Sequence, residues 1–312
     1  MFQIFVDSAA NIPAVLVAKY DIHVISFMNY VDGKPLPGFE AGLTPEEERA
    51  KGKLYYDAIR QGTEVKTSLV NTAQFLDEFR PCVEAGDDVL YISLSKNISG
   101  TNHSAQMAAD ELEEEFPGRK VYVVDSLNAS LAQGILAIYA RELELKGLVL
   151  SKIAQLLQDT AHYMNGVFTV EDLKYLARSG RLSNSTAFIG NMLSIKPLLK
   201  GNAEGFIVQF RKCRGRKKAL NDLVDIVCDN ILEPAKQIIG IAHADAYDEA
   251  LEFMNKVRER GVQVREFIDT SYDYCTGSHV GPGTIALFFI GPDRELQGRP
   301  ENVVLPEIFD YL

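Results

Sequence analysis

At 312 residues, with 46% hydrophobic and 24% charged side chains, the chain has the composition of a soluble globular protein and enough length for two domains. A formal net charge of −11 argues against non-specific association with nucleic acid or with an anionic membrane surface. No apolar run approaches the roughly 20 residues a membrane helix needs, and Met1 to Asp7 lacks the basic region and cleavage site of a signal peptide, so no membrane insertion and a cytoplasmic location are expected.

The first half alternates strand and helix signals. Phe2 to Val6 predicts a strand ending in Asp7-Ser8, and Asn11 with Pro13 opens a helix through Val15, Leu16 and Tyr20. His23 to Tyr30 predicts the next strand, with Asp32-Gly33 as the hairpin turn after it. Thr44 followed by Pro45 and three glutamates starts a helix that runs to about Arg60. Thr67-Ser68 then predicts a short loop before a helix from Asn71 or Thr72 to about Glu84. Asp88 to Ile92 is a short β-forming run, and Asn102 to Phe116 carries Ala105, Ala108, Ala109 and Leu112 at amphipathic helical spacing. Between them lies Ser93-Leu-Ser-Lys-Asn-Ile-Ser-Gly-Thr101. Val121 to Val124 predicts another strand, ending in Asp125-Ser126, before helices from about Ala129 to Lys146 and from Leu150 to Met164. This alternation predicts an α/β unit over residues 1–165, with a mainly parallel, Rossmann-like sheet and helices on both faces. Loops after the strand C-termini of such a sheet share one edge, where ligands bind. Asp7-Ser8, Ser95 to Thr101 and Asp125-Ser126 are therefore expected at one rim.

Gly166 changes the rhythm. Val167 to Val170 predicts a strand, Asp172 to Arg178 a helix stopped by Ser179-Gly180, and Ser185 to Leu193 a strongly apolar helix. Ile195 to Leu199 and Phe206 to Arg211 follow as strands, then a helix from Arg216 to Asn230. Strands at 237–242, 263–268 and 284–290 and a helix at 247–260 complete an α+β unit over 166–312, with a mixed, largely antiparallel sheet.

The chemistry is easiest to read by exclusion. There is no G-x-S-x-G elbow, no phosphate-binding G-x-x-x-x-G-K-[ST] and no H-E-x-x-H, and the four cysteines show no zinc spacing. Ser99 occupies a helix-cap position, and Gly100 allows close approach. A helix start of this kind serves either as an ordinary cap or as an anion site. His279 lies in the glycine-rich run Gly277-Ser-His-Val-Gly-Pro-Gly283, placed either as a surface-turn histidine or as a donor to an anion. Ser99 with His279 also allows an acyl hydrolase, a nucleophile and base without a visible third member. The helix carrying Phe188, Ile189 and Met192 is apolar nearly all round, which suits a core helix or the wall of an apolar cavity. One basic run stands out on this acidic chain, Arg211-Lys-Cys-Arg-Gly-Arg-Lys-Lys218, as a docking surface for an anionic ligand or partner or as a solvated helix start.

Taken in order, these segments resemble the DegV family of lipid-binding proteins. The matching pieces are Phe5 to Pro13, Lys66 to Ser68, Tyr91 to Thr101, Val124 to Ser126, Leu176 to Ser183 with Ile195 to Pro197, Arg214 to Ala219, and His279 to Gly283. The resemblance implies two domains with one long-chain fatty acid bound between them and no cofactor or metal. It further implies service as the binding subunit of a fatty acid kinase, a separate ATP-dependent subunit phosphorylating the carboxylate for phospholipid synthesis. Thr67, Ser99 and His279 would hold that carboxylate, with Ser68, Gly100 and Arg181 near it. Arg211, Arg214, Arg216 and Lys217 would face the kinase subunit. The chain departs from the family pattern at Leu69-Val70, where Gln-Pro is usual, and at Val280, where Thr is usual. Burial of a 16-carbon tail is worth on the order of 10 kcal/mol gross, at about 0.8 per methylene. Hydroxyls, an imidazole and helix N–H groups suffice to keep the carboxylate paired.

Overall fold

The computed structural model describes residues 2–182, 195–294 and 304–312. In chain order the elements begin with β1 (Phe2–Asp7), α1 (Ala14–Lys19), β2 (Ile22–Ile25), β3 (Met28–Val31), β4 (Lys34–Pro37), α2 (Pro45–Arg60) and β5 (Val65–Ser68). They continue with α3 (Thr72–Glu84), β6 (Asp88–Ser93), α4 (Thr101–Glu115), β7 (Val121–Asp125), α5 (Leu131–Leu145), α6 (Leu150–Ala161) and β8 (Met164–Thr169). Then follow α7 (Lys174–Ser179), β9 (Ile195–Gly201), β10 (Ile207–Arg214), α8 (Arg216–Asn230), β11 (Ile238–His243), α9 (Tyr247–Glu259), β12 (Glu266–Ser271), α10 (Tyr274–Val280) and β13 (Ile285–Ile290).

Three sheets organise these elements. The first is wholly parallel, in the order β2-β1-β6-β7. The second runs β10-β9-β8-β13-β11-β12 and is antiparallel except for the β11–β12 pair. The third is a small antiparallel sheet, β4-β3-β5. One face of the parallel sheet packs on α3 and α4 through Phe75, Phe79, Ala105, Ala108 and Leu112 against Phe5 and Tyr91. The other face meets α5, whose residues Leu131 to Ala140 are all buried. That helix contacts β1 and β6 on one side and β8, β11 and β13 on the other. A helix apolar on every side is one buried on every side, and α5 is the shared filling between the two large sheets. The outer face of the second sheet packs on α8 and α9. Residues 304–312 return to α6, where Lys152 pairs with Glu307 at 2.7 Å.

The α/β architecture expected from the alternation is the one observed. Several local expectations are corrected. His23 to Tyr30 is two strands, because β2 pairs with β1 in the parallel sheet whereas β3 pairs with β4 and β5. Thr67-Ser68 is the end of strand β5 rather than a loop, with Thr67 opposite Asn29. The helix after the hydroxyl-rich loop is capped at Gly100, one residue beyond Ser99. Gly277-Ser-His-Val280 is helical, because Asp273 caps α10 through the Cys275 and Thr276 N–H groups. The strand expected to end at Arg211 runs on to Arg214 as β10, while the helix after it begins at Arg216 as expected. The expected apolar helix at 185–193, with Phe188, Ile189 and Met192, lies outside the described residues.

Candidate functional site

The C-terminal ends of β1, β6 and β7 open towards the second sheet, and a cavity of about 310 Å³ lies between them. Its apolar wall includes Phe27, Leu69, Leu94, Ile98, Phe168, Leu176, Ile207 and Phe288. Its polar lining includes Thr67, Ser68, Ser99, Arg181, Thr276 and His279. The six residues expected at the head-group end, Thr67, Ser68, Ser99, Gly100, Arg181 and His279, are thus brought to one cavity from four separate stretches of chain. Of the three segments expected at the rim, Ser95 to Thr101 contributes Ile98, Ser99 and Gly100 to the lining, whereas Asp7-Ser8 and Asp125-Ser126 do not line the cavity. Instead Ala9 lines the cavity after Ser8, and Asn128, Ala129 and Ser130 line it after Ser126.

Thr67 Oγ1 and His279 Nε2 are 3.2 Å apart, joining β5 to α10 across 212 residues of sequence. Ser99 Oγ accepts from the Thr101 N–H at 3.3 Å and shares a hydrogen bond of 2.9 Å with the Thr101 hydroxyl. Ser99 therefore caps α4 from one position further out than an N-cap residue. Its hydroxyl is bonded to Thr101 and the His279 imidazole to Thr67, so the nucleophile–base contact a Ser–His hydrolase relies on is not made here. Burial, followed by the charges of Arg181 and Arg178, lowers the His279 pKa from 6.5 to about 4. The imidazole is neutral at physiological pH, and both arginines leave the polar end electropositive. The guanidinium of Arg181 is held by the Ser179 carbonyl.

The helix bearing His279 is positioned from beneath. Tyr55 and Tyr56 on α2 donate to the carbonyls of Tyr274 at 2.7 Å and Tyr272 at 3.0 Å. Gly277 is the reason they fit, since a Cβ there would stand 2.1 Å from the Tyr56 hydroxyl. Cys275, also on the cavity wall, lies one helical turn before His279, its sulfur 4.0 Å from Nε2. Burial pushes that thiol well above its ordinary pKa, as expected of an inert sulfhydryl. Cys275, Thr276 and the Tyr55–Tyr56 pair were missed in the sequence reading. The available signal was Asp273, an N-cap residue three positions before Thr276.

The residues of the basic run stand elsewhere. Arg216 forms a two-pronged ion pair with Glu249 and lies 4.0 Å from Glu171. Arg211 lies 3.5 Å from Asp222, while Arg214 and Lys217 are exposed. Among the described residues, no group of three or more His, Cys, Asp or Glu side chains could hold a metal ion. No described helix is long and apolar enough to cross a membrane.

Fold and site together define an α/β protein whose two large sheets enclose an apolar cavity with one polar end. The chain belongs to the DegV family, as its motifs suggested: residues 1–291 match the family described as "Uncharacterised protein, DegV family". It is 34% identical over 295 residues to a DegV domain-containing protein of Clostridium perfringens, covering 94% of this chain and 99% of the relative. It is 33% identical over 291 residues to a protein of Thermotoga maritima named fatty acid-binding protein, covering 91% and 96%. Among solved structures, a fatty acid binding DegV family protein from Streptococcus agalactiae superposes with a TM-score of 0.78 at 30% identity, over 92% of this chain and 98% of that one.

Proposed function

We propose that this protein binds one long-chain fatty acid in the cavity between its sheets and presents the carboxylate to a separate ATP-dependent kinase subunit. The observation that carries the reading is the meeting of Thr67, Ser99 and His279 at the polar end of one apolar cavity. A carboxylate there receives two hydroxyls and an imidazole N–H, with Arg181 beside it, and such charge-assisted bonds are the stronger kind. A neutral imidazole suits this task, because its N–H donates without adding a full counter-charge. The tail lies along Phe27, Leu94, Phe168 and Phe288. On this reading residues 1–165 supply Thr67 and Ser99 and residues 166–312 supply His279 and Arg181, with the seam at the start of β8. Kinase docking rests on exposed Arg211, Arg214 and Lys217; Arg216 is turned inward to Glu249.

Calorimetric titration with palmitate or stearate tests the binding step, with one-to-one uptake expected and the absence of any uptake refuting it. A fluorophosphonate probe separates this reading from an acyl hydrolase, since covalent labelling of Ser99 would favour the enzyme. With a cognate kinase subunit, Ser99→Ala lowers acyl-phosphate formation more than fatty-acid affinity, and unchanged turnover refutes the presentation step.

A further inference from the structure

The helix that carries His279 is only seven residues long, so its place depends on what holds it. Its first turn is held by Asp273, which accepts from the Thr276 N–H at 3.0 Å and the Cys275 N–H at 3.1 Å. The same carboxylate is gripped from the far end of the chain. Asn11 Nδ2 donates to Asp273 Oδ1 at 3.0 Å, and the Ser8 hydroxyl to Oδ2 at 3.5 Å. Asn11 is in the left-handed region at φ 53°, a conformation its short amide side chain tolerates. Its amide also donates to the Ser8 carbonyl at 3.3 Å. Ser8 Oγ in turn accepts from the Phe27 N–H at 3.1 Å. A continuous set of bonds therefore joins Phe27, on one cavity wall, through Ser8, Asn11 and Asp273 to the first turn of α10, on another. Ser8, Asn11 and Asp273 do not themselves line the cavity. An ordinary cap needs only Asp273 and the helix N–H groups, so the bonds from Asn11 and Ser8 call for a separate reason.

We infer that the Asn11–Asp273 clasp positions the carboxylate end of the cavity, tying α10 to the loop after β1 and so setting where His279 stands against Thr67. This rests on the fatty-acid reading, and it makes Asn11 and Asp273 positioning residues that do not touch the ligand.

The test compares Asn11→Ala with Asp273→Asn. Affinity for a long-chain fatty acid is followed by displacement of a fluorescent fatty acid. The His279 ring is followed by NMR in lipid-free protein. Each single variant should lose about tenfold in affinity. Each should also shift the His279 titration upward towards 6.5 as the polar end loosens. Asn11→Gly, which suits the left-handed backbone, stands in should Asn11→Ala fail to fold. Single variants with wild-type affinity and an unchanged His279 titration would overturn the inference. If wild-type protein takes up no fatty acid, the underlying reading fails, and the lipid-free His279 titrations still decide the clasp.

Discussion

Replacing Gly277 by alanine perturbs the site without touching a residue that lines the cavity. The new Cβ would stand 2.1 Å from the Tyr56 hydroxyl and 2.9 Å from two carbons of its ring. Unbonded carbon atoms settle at about 3.5 Å or beyond, so the ring or the helix must retreat. Tyr56 is fully buried and its hydroxyl is bonded to the Tyr272 carbonyl, which leaves the helix as the part that moves. Overpacking of this kind costs about 1–3 kcal/mol. Weakening the buried hydrogen bond adds about 1 kcal/mol, and the better helix propensity of alanine returns about 1 kcal/mol. A net loss of about 1–3 kcal/mol in denaturant unfolding is expected. The 3.2 Å contact between Thr67 and His279 should lengthen with it, and fatty-acid affinity should fall about tenfold. Tyr56→Phe removes the atom nearest the new methyl, so Gly277→Ala should cost at least about 1 kcal/mol less in that background, read as a double-mutant cycle. Equal costs in the two backgrounds, or an unchanged affinity, would refute the argument that Tyr56 sets the height of α10.

Other expectations follow from charge and burial. The His279 ring should stay neutral down to about pH 4 in lipid-free protein and titrate higher once a carboxylate is bound, as followed by NMR; identical titrations in both states would remove His279 from the carboxylate site. Reversing the charge at Arg214 should leave fatty-acid binding unchanged and weaken coupling to a kinase subunit, whereas reversal at Arg216 should destabilise the fold by breaking its pair with Glu249; thermal unfolding and kinase pull-down separate the two. Burial raises the Asp7 pKa from 3.8 to about 6. The folded protein therefore binds its proton more tightly than the unfolded chain. That contribution is complete below about pH 4 and is lost as pH rises through about 6. It amounts to about 3 kcal/mol at about 1.4 per pH decade. Unfolding of Asp7→Asn across pH 4 to 8 should lack this fall; an unaltered difference profile would contradict it.

The parallel sheet was legible because its strands and helices follow their own periods. Buried runs such as Asp88 to Ile92 are short and β-forming, and α4 carries its alanines at helical spacing. The stop at Gly180 was legible too, since a glycine at φ 71° is what a helix C-terminus asks for. The elements that were misread are those made by tertiary contact. β5 is four residues with no apolar pattern, and it is a strand because β3 lies beside it. α10 contains a glycine and polar residues, and it is a helix because Asp273 caps it and Tyr56 fills the space over Gly277. Thr67 and His279 could be paired from motif resemblance, whereas the hydrogen bond between them depends on α2 crossing to the second sheet. The tyrosines that dock α2 sit more than 200 residues from their partners, a distance no local pattern reports.

The central claim is tested most directly by mass spectrometry of protein purified without added lipid and then denatured. The account predicts a long-chain fatty acid released in a one-to-one ratio, and its loss in a variant combining Thr67→Ala, Ser99→Ala and His279→Ala. Protein that carries no fatty acid and takes none up when offered would contradict it.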